Sequence, residues 1–509
     1  VLSRTELTVR GTRDTIPAME INDLTPAERR VWEAFPRGDG VDFREHPEDS
    51  SVDGAGWGPD RTLRAEVLRA LLLGAAPAAE GRVAGLKIKG ARIVGKLDLR
   101  YAVIDHPIRM RDCWFERKPL LYGAQLKALV LGYSTLPGLT AATLRVDVVL
   151  RLSCCRITGP VRLQGAKISG GLFLQGAVVG PMSGEEADEP PLQLNHAEVG
   201  TDIIANDLTV HGQLRLNGAV VGGQINLDDA RLLAPDGTAL QAETLLVGTN
   251  LHAARARTQG RLNLTGSRIP GRLNLAHAVL ENPGGIALRA SSCTVGEVWL
   301  PACEDVRGTV NLRRSQFDLL NMRAGTWRDP LRLDGLTYRT LGPHLPAEER
   351  LAALETGEPG YLPYPYEQLA AAYRTAGDEE AARTVMLAKL RRHRRTLPRH
   401  TRLWGLLQDA TVGYGFRPLR AAGWLAALLL TGAIAFALQP PRPLKQGEAP
   451  DFNAVFYTID LMLPIIGFGQ EQAFAPSGWH QWLSYLLIVT GWVLATTTAA
   501  GVSRSLRRQ

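Results

Sequence analysis

Small residues recur at an eleven-residue spacing in four places: Ala91 and Ala102, Ala166 and Ala177, Ala219 and Ala230, Ser267 and Ala278. Around them the chain repeats itself, most fully in GPVRLQGAKISGGLFLQGAVVG (159–180), GQLRLNGAVVGGQINLDDARLL (212–233) and GRLNLTGSRIPGRLNLAHAVL (260–280). Alternating Leu-x-Leu is the pattern of a strand with one buried face, and the Gly-Ala step suits a tight corner. A unit this short cannot bury its own apolar face, so the units must stack on one another into a coil. Two beats make about 22 residues, one turn of such a coil, and with turns stacked about 4.8 Å apart some 250 residues build a rod roughly 50 Å long.

This reading predicts a mainly β chain: a right-handed β-helix, similar to pentapeptide-repeat solenoids, over residues 85–340. Residues 1–84 form a polar leader and a helical cap. Thr25-Pro26-Ala27-Glu28 has capping-box spacing with proline at the first helical position, which starts a helix running to about Phe35. Leu63, Val67, Leu68, Leu71 and Leu72 recur at helical spacing before Gly74 and predict an amphipathic helix over the open end of the first turn. An uncovered coil end is a row of unpaired strand edges, so a cap is needed. The repeat is clear in 86–104, degenerate in 120–150 and fading in 308–320 and 330–338. PMSGEEADEPP (181–191) and APDGT (234–238) read as surface loops.

From Pro346 the period changes to helical. Residues 346–410 read as a helical hairpin resembling one tetratricopeptide-type unit, broken at Gly377-Asp378, followed by a basic juxtamembrane helix. A single such hairpin suits packing on the end of the solenoid or a link to a membrane. Residues 421–438 and 481–502 are uncharged, apolar and close to the length needed to cross a bilayer, which predicts two transmembrane helices. Arg391, Arg392, Arg394, Arg395, Arg417 and Arg420 precede the first, and Arg504, Arg507 and Arg508 follow the second. The loop 439–480 carries only Arg442 and Lys445 against Glu448, Asp451 and Glu471. The positive-inside rule then puts both termini and the solenoid in the cytoplasm, on a multi-pass protein of the cytoplasmic membrane. The basic residues become a contact for anionic lipid headgroups in preference to nucleic acid.

Within the loop, the apolar segment 452–469 ends in Gly467-Phe468-Gly469 and carries Asp460. In a re-entrant segment Asp460, Gly467, Phe468 and Gly469 become candidates for an intramembrane site or a pore. A carboxylate at an interface, bonded to a helix end, is the plainer account of Asp460. Thr411-Val412-Gly413-Tyr414-Gly415 spells a potassium-filter motif but precedes the first span, where no filter can form.

For catalysis the chain offers no P-loop, no H-E-x-x-H and no G-x-S-x-G, and GAGWG (54–58) lacks the strand and helix of a dinucleotide turn. Five cysteines, Cys113, Cys154, Cys155, Cys293 and Cys303, are odd in number and unclustered, which predicts neither disulfides nor zinc but small buried residues. No catalytic, metal or cofactor residue is expected.

LRAEVLRALLLG, the GARIVGKLDL-type units, GYGFRPLRAAGWL and the closing FYTIDLMLPIIGFGQ…GWVLATTTAAGV together resemble a group of actinobacterial membrane proteins with a pentapeptide-repeat-like solenoid. Members are often labelled membrane-associated oxidoreductases, and the resemblance carries that label without any flavin, nicotinamide, haem or iron–sulfur motif. The leading expectation is a membrane-anchored, non-catalytic scaffold or sensor with a protein partner on the solenoid, able to form a homo-oligomer. A two-span oligomeric channel with residues 452–470 as pore segment is the alternative, and an oxidoreductase the second.

Overall fold

The computed structural model describes residues 23–506 apart from 47, 182–188, 324–326, 356–360, 399–401, 403–417, 446–448 and 463–466. The chain divides into two compact units, before and after residue 358.

The first unit is a parallel β-solenoid of about 11 turns flanked by helices. Its strands join two long parallel sheets, of 20 and 16 strands among the described residues. Where no insert intervenes, in-register partners lie about one double beat apart: Gln125, Arg145 and Lys167 follow one another at 20 and 22 residues. A turn in the first half is four short strands, such as Arg145–Val146, Val149–Arg151, Arg156–Ile157 and Val161–Arg162. Inside runs one continuous apolar core from Ala27 to Ala353, with Leu150, Leu163 and Leu172 fully buried.

Corners repeat a single backbone device. In one column Tyr101, Gly123, Thr143, Gly165, His196, Gly218, Thr244, Gly266, Ser292, Arg314 and Gly335 all hold a left-handed conformation. From Tyr101 to Arg314 each of these N–H groups donates to a carbonyl of the next turn, as His196 does to Asn217 and Gly218 to Glu243. The residue that follows is small or apolar and, after the half-buried Ala102, buried throughout, as Ala166, Ala219 and Ser267 are. Through Gly266 glycine alternates with a larger residue, and a Cβ on Gly218 would lie 2.6 Å from the His196 ring. So the Ala of the Gly-Ala step fills the inside, while the Gly makes room outside for the side chain of the preceding turn.

The degenerate stretch 120–150 is regular in space, with strands at Gln125–Leu126, Leu129–Val130, Thr135–Leu136 and Leu139–Thr140. The last turns do not fade either: Gln316–Asn321 pairs with Thr337–Gly342 along its length. APDGT lies within the strand Arg231–Gln241, but its register with Arg257–Asn263 jumps from Leu233 to Thr238, so residues 234–237 bulge out of the ladder. The core of the 181–191 insert lies outside the described residues.

Helix α1 (Pro26–Ala34) starts with the expected capping box: Glu28 N–H donates to the Thr25 hydroxyl at 3.2 Å and Thr25 N–H to the Glu28 carboxylate at 3.0 Å. Helix α2 (Ala65–Leu72) buries Val67, Leu68, Leu71 and Leu72 over the coil end. The coil begins earlier than residue 85, since Val41–Asp42 pairs with Ile88–Lys89 and Thr62–Arg64 with Arg92–Val94. At the other end α3 (Ala347–Glu355) puts Ala353 into the same core, and its buried Arg350 donates to the carbonyls of Met322 and Pro343.

The second unit opens with a hairpin of α4 (Pro363–Thr375) and α5 (Glu379–Thr396), turned at Gly377 (φ +81°) and capped by Asp378 onto Ala381 N–H. It continues with α6 (Pro418–Leu438), α7 (Ala454–Met462), α8 (Gln470–Ala473) and α9 (Trp479–Leu506). The stretches 421–438 and 481–502 are thus helical, but the expected transmembrane spans are not found. Among the described residues no helix is long and apolar enough to cross a membrane.

Candidate functional site

Asp460 sits on α7, 5% exposed, and its carboxylate is fully engaged. It accepts the backbone N–H of Phe468 at 2.6 Å, of Gln470 at 2.8 Å and of Glu471 at 3.4 Å. Around it the connections are equally local. Asn453 accepts the N–H groups of Val455 and Phe456 and starts α7, while Gln470 accepts from Asn453 N–H and donates to the Asp451 carbonyl. A carboxylate satisfied by three backbone donors ties a turn together. Two of the donors, Gln470 and Glu471, belong to the first turn of α8.

Gly467, Phe468 and Gly469 are brought beside Asp460 as an exposed turn. Gly469 has φ +78° and open space around it, so backbone conformation accounts for the residue there. Phe468 is 48% exposed and meets the Phe456 ring at 5.0 Å. Pro464 to Ile466 and the Thr411–Gly415 motif lie outside the described residues.

Around this turn α6, α7 and α9 surround a small core of Phe436, Tyr457, Leu461, Met462, Phe474 and Leu487. Thr458, Asp460, Gln470, His480 and Ser484 are buried with it. Outward face Trp424, Leu430, Ile434, Leu438, Trp482, Leu486, Val489 and Trp492, each more than half exposed. The outer face is thus apolar, where that of a water-soluble helical bundle is charged or polar.

Of the basic candidates, Arg391, Arg392, Arg394 and Arg395 end α5, whose first turn holds Glu379 and Glu380, so the helix dipole is matched at both ends. Arg420 is exposed in the first turn of α6, and Arg417 lies outside the described residues.

In the solenoid Cys113, Cys155 and Cys293 occupy the buried corner position taken elsewhere by alanine, and Cys154 is exposed. Burial pushes the Cys113 and Cys155 thiols up to about 12 and that of Cys293 to about 11, far from a reactive thiolate. Among the described residues no group of His, Cys, Asp or Glu could hold a metal ion.

An open groove of about 520 Å³ is lined by Asn250, His252, Arg272, Glu297, Asp318 and Arg339. Its charges neutralise one another across adjacent turns, Arg272 with Glu297 at 2.8 Å and Arg339 with Asp318 at 3.2 Å. Sequence reasoning missed this groove, because its residues come from five turns. No family model, curated protein or solved structure matches this chain at a significant level. The geometry of these sites therefore carries the functional argument alone.

Proposed function

We propose that the chain is a membrane-anchored β-solenoid: the C-terminal unit seats in a bilayer, and the solenoid presents a rigid, non-catalytic binding surface as an interaction scaffold. The supporting observation is the apolar outer face of α6, α7 and α9, with aliphatic and indole side chains outward around an apolar core that also buries Thr458, Asp460, Gln470, His480 and Ser484. An apolar surface of that extent is unfavourable in water and favourable against lipid, while buried polar groups bonded to backbone satisfy the demands of a hydrocarbon interior. Exposed Trp424, Trp479, Trp482 and Trp492 suit the headgroup boundary. Arg391, Arg392, Arg394, Arg395 and Arg420 then serve anionic headgroups, with both termini and the pentapeptide-repeat-like, right-handed solenoid on the cytoplasmic side.

The test is membrane partition with topology mapping. The full chain should remain in the membrane pellet after alkaline carbonate extraction. A single cysteine introduced near Pro450 should react with an impermeant label from outside intact cells, and one near Arg394 should not. Release into the supernatant sinks the anchor, and the reverse labelling pattern sinks the topology.

A further inference from the structure

Across the first turns of the solenoid, cations stand directly over cations. Lys87 is in register with Arg109, and Lys89 with Arg111, on the parallel strands Leu86–Lys89 and Ile108–Arg111. All four side chains alternate with the buried Leu86, Ile88, Ile108 and Met110, so they share one outer face. The lattice of a parallel sheet puts them about 4.8 Å apart between turns and about 6.6 Å apart along the strand. Like charges directly opposite on a sheet are destabilising.

The chain has carboxylates nearby, but they are engaged. Asp42, in register with Lys89, is held by Arg44 through two bonds of 3.1 and 2.9 Å. Asp112 is largely buried and faces the same Arg44 at 3.9 Å. Asp39 pairs with Arg37 at 2.8 Å, and the Lys87 ammonium donates to the Gly38 carbonyl. On the turn above, Val130 is in register with Arg109, and Arg111 lies over the Tyr133 ring, 5.1 Å from its centroid.

Elsewhere the fold matches an outer cation with a carboxylate one turn away: Lys167 with Glu198 at 2.9 Å, Arg272 with Glu297 at 2.8 Å, Arg255 with Asp229 at 2.6 Å. In-register like pairs occur singly at Arg145 and Lys167, where Lys167 reaches Glu198, and at Arg231 and Arg257. A two-by-two block of cations occurs at Lys87, Lys89, Arg109 and Arg111.

We infer that this block is the docking surface for an extended acidic segment of a partner protein, whose carboxylates at alternate positions take the place that carboxylates of the next turn take elsewhere in the coil. Alternate side chains of an extended strand repeat at about 6.6 Å, the spacing of Lys87 to Lys89 and of Arg109 to Arg111. The four cations stand on paired strands of the coil, so their spacing is set before the partner arrives. The inference rests on the reading of the solenoid as a binding scaffold and is independent of the membrane anchor.

The experiment uses the full chain in detergent micelles and a fluorescein-labelled peptide of alternating glutamate and threonine. Binding should be saturable and weaken as salt rises. Arg109→Glu with Arg111→Glu should weaken it by about tenfold or more, and Arg231→Glu with Arg257→Glu on the other sheet by less than about twofold. Equal affinity in the first double variant, or equal loss in both, overturns the proposal. So does tighter binding of a single-stranded oligonucleotide than of the peptide at the same salt, which would make the surface one for phosphates. Arg109→Glu alone sits in register with Lys87 and should keep or raise the melting temperature. A fall in that temperature overturns the claim that the block is held against its own repulsion. Carbonate extraction of the same variants reads the anchor separately.

Discussion

In the solenoid, leucine, isoleucine, valine and alanine point inward, and the outer face carries lysine, arginine, aspartate and glutamate paired from turn to turn. Around α7 the apolar core also takes in Asp460, His480 and Thr458, and the outer face carries Leu430, Ile434 and Trp482. What differs is how much apolar surface each leaves exposed, and that difference is what the proposed membrane anchor rests on.

The comparison breaks most visibly under a buried charge. Leu150→Asp, at a fully buried solenoid position, should abolish folding of the rod, because an unpaired carboxylate has no partner there. Leu430→Asp, at a position 63% exposed, should leave the helical content intact in detergent and weaken membrane partition. Circular dichroism and carbonate extraction read the two outcomes, and a folded Leu150→Asp rod would remove the distinction.

Asp460→Ala leaves three backbone N–H groups without their acceptor and should cost about 3 kcal/mol of local stability. Limited proteolysis near Phe468 reports it. Asp460→Asn keeps one oxygen and should lose less. Loss of ion conductance without faster cleavage would point instead to the pore reading of Asp460.

At the N-terminal cap, the solenoid supplies an acid-sensitive contact. Burial pushes the Glu28 carboxyl up, but bonds from Arg64 and from the Thr25 and Arg64 N–H groups outweigh it and hold the group below its ordinary value. A depressed carboxyl contributes stability that is fully present above its unfolded value and lost as pH falls through the folded one. Glu28→Gln should therefore lower stability by about 1–2 kcal/mol at neutral pH. The gap to the parent chain should close below the ordinary carboxylate range. Thermal melts at neutral and acid pH check the sign.

The smallest effect belongs to the corners. Gly218→Ala puts a Cβ at φ +61° and against the His196 ring, and should cost about 1–2 kcal/mol. In the His196→Gly background part of that cost should disappear, which a double-mutant cycle measures.

The Leu-x-Leu alternation at 162–174 and the capping box at Thr25–Glu28 were legible because each acts between residues a few positions apart. The 120–150 turns were not, because Ser134 and Leu144 take the corner place of alanine and break the spelling without changing the burial. At the candidate site, the three donors to Asp460 lie eight to eleven residues away, too far for a local motif. The three-turn neighbourhood of Arg109 was invisible for the same reason.

By itself the sequence determined that this chain stacks short half-buried strands into a coil and caps it with α1 and α2, because a side-chain period of two and an eleven-residue spacing admit no other way to bury those leucines. Only the tertiary structure decided which side chains stand over one another. Inserts make the step between turns vary from 20 residues, Gln125 to Arg145, to 31, Lys167 to Glu198, so register follows from hydrogen bonding and not from counting. That register is what stacks glycine on histidine at one corner and arginine on lysine along one face.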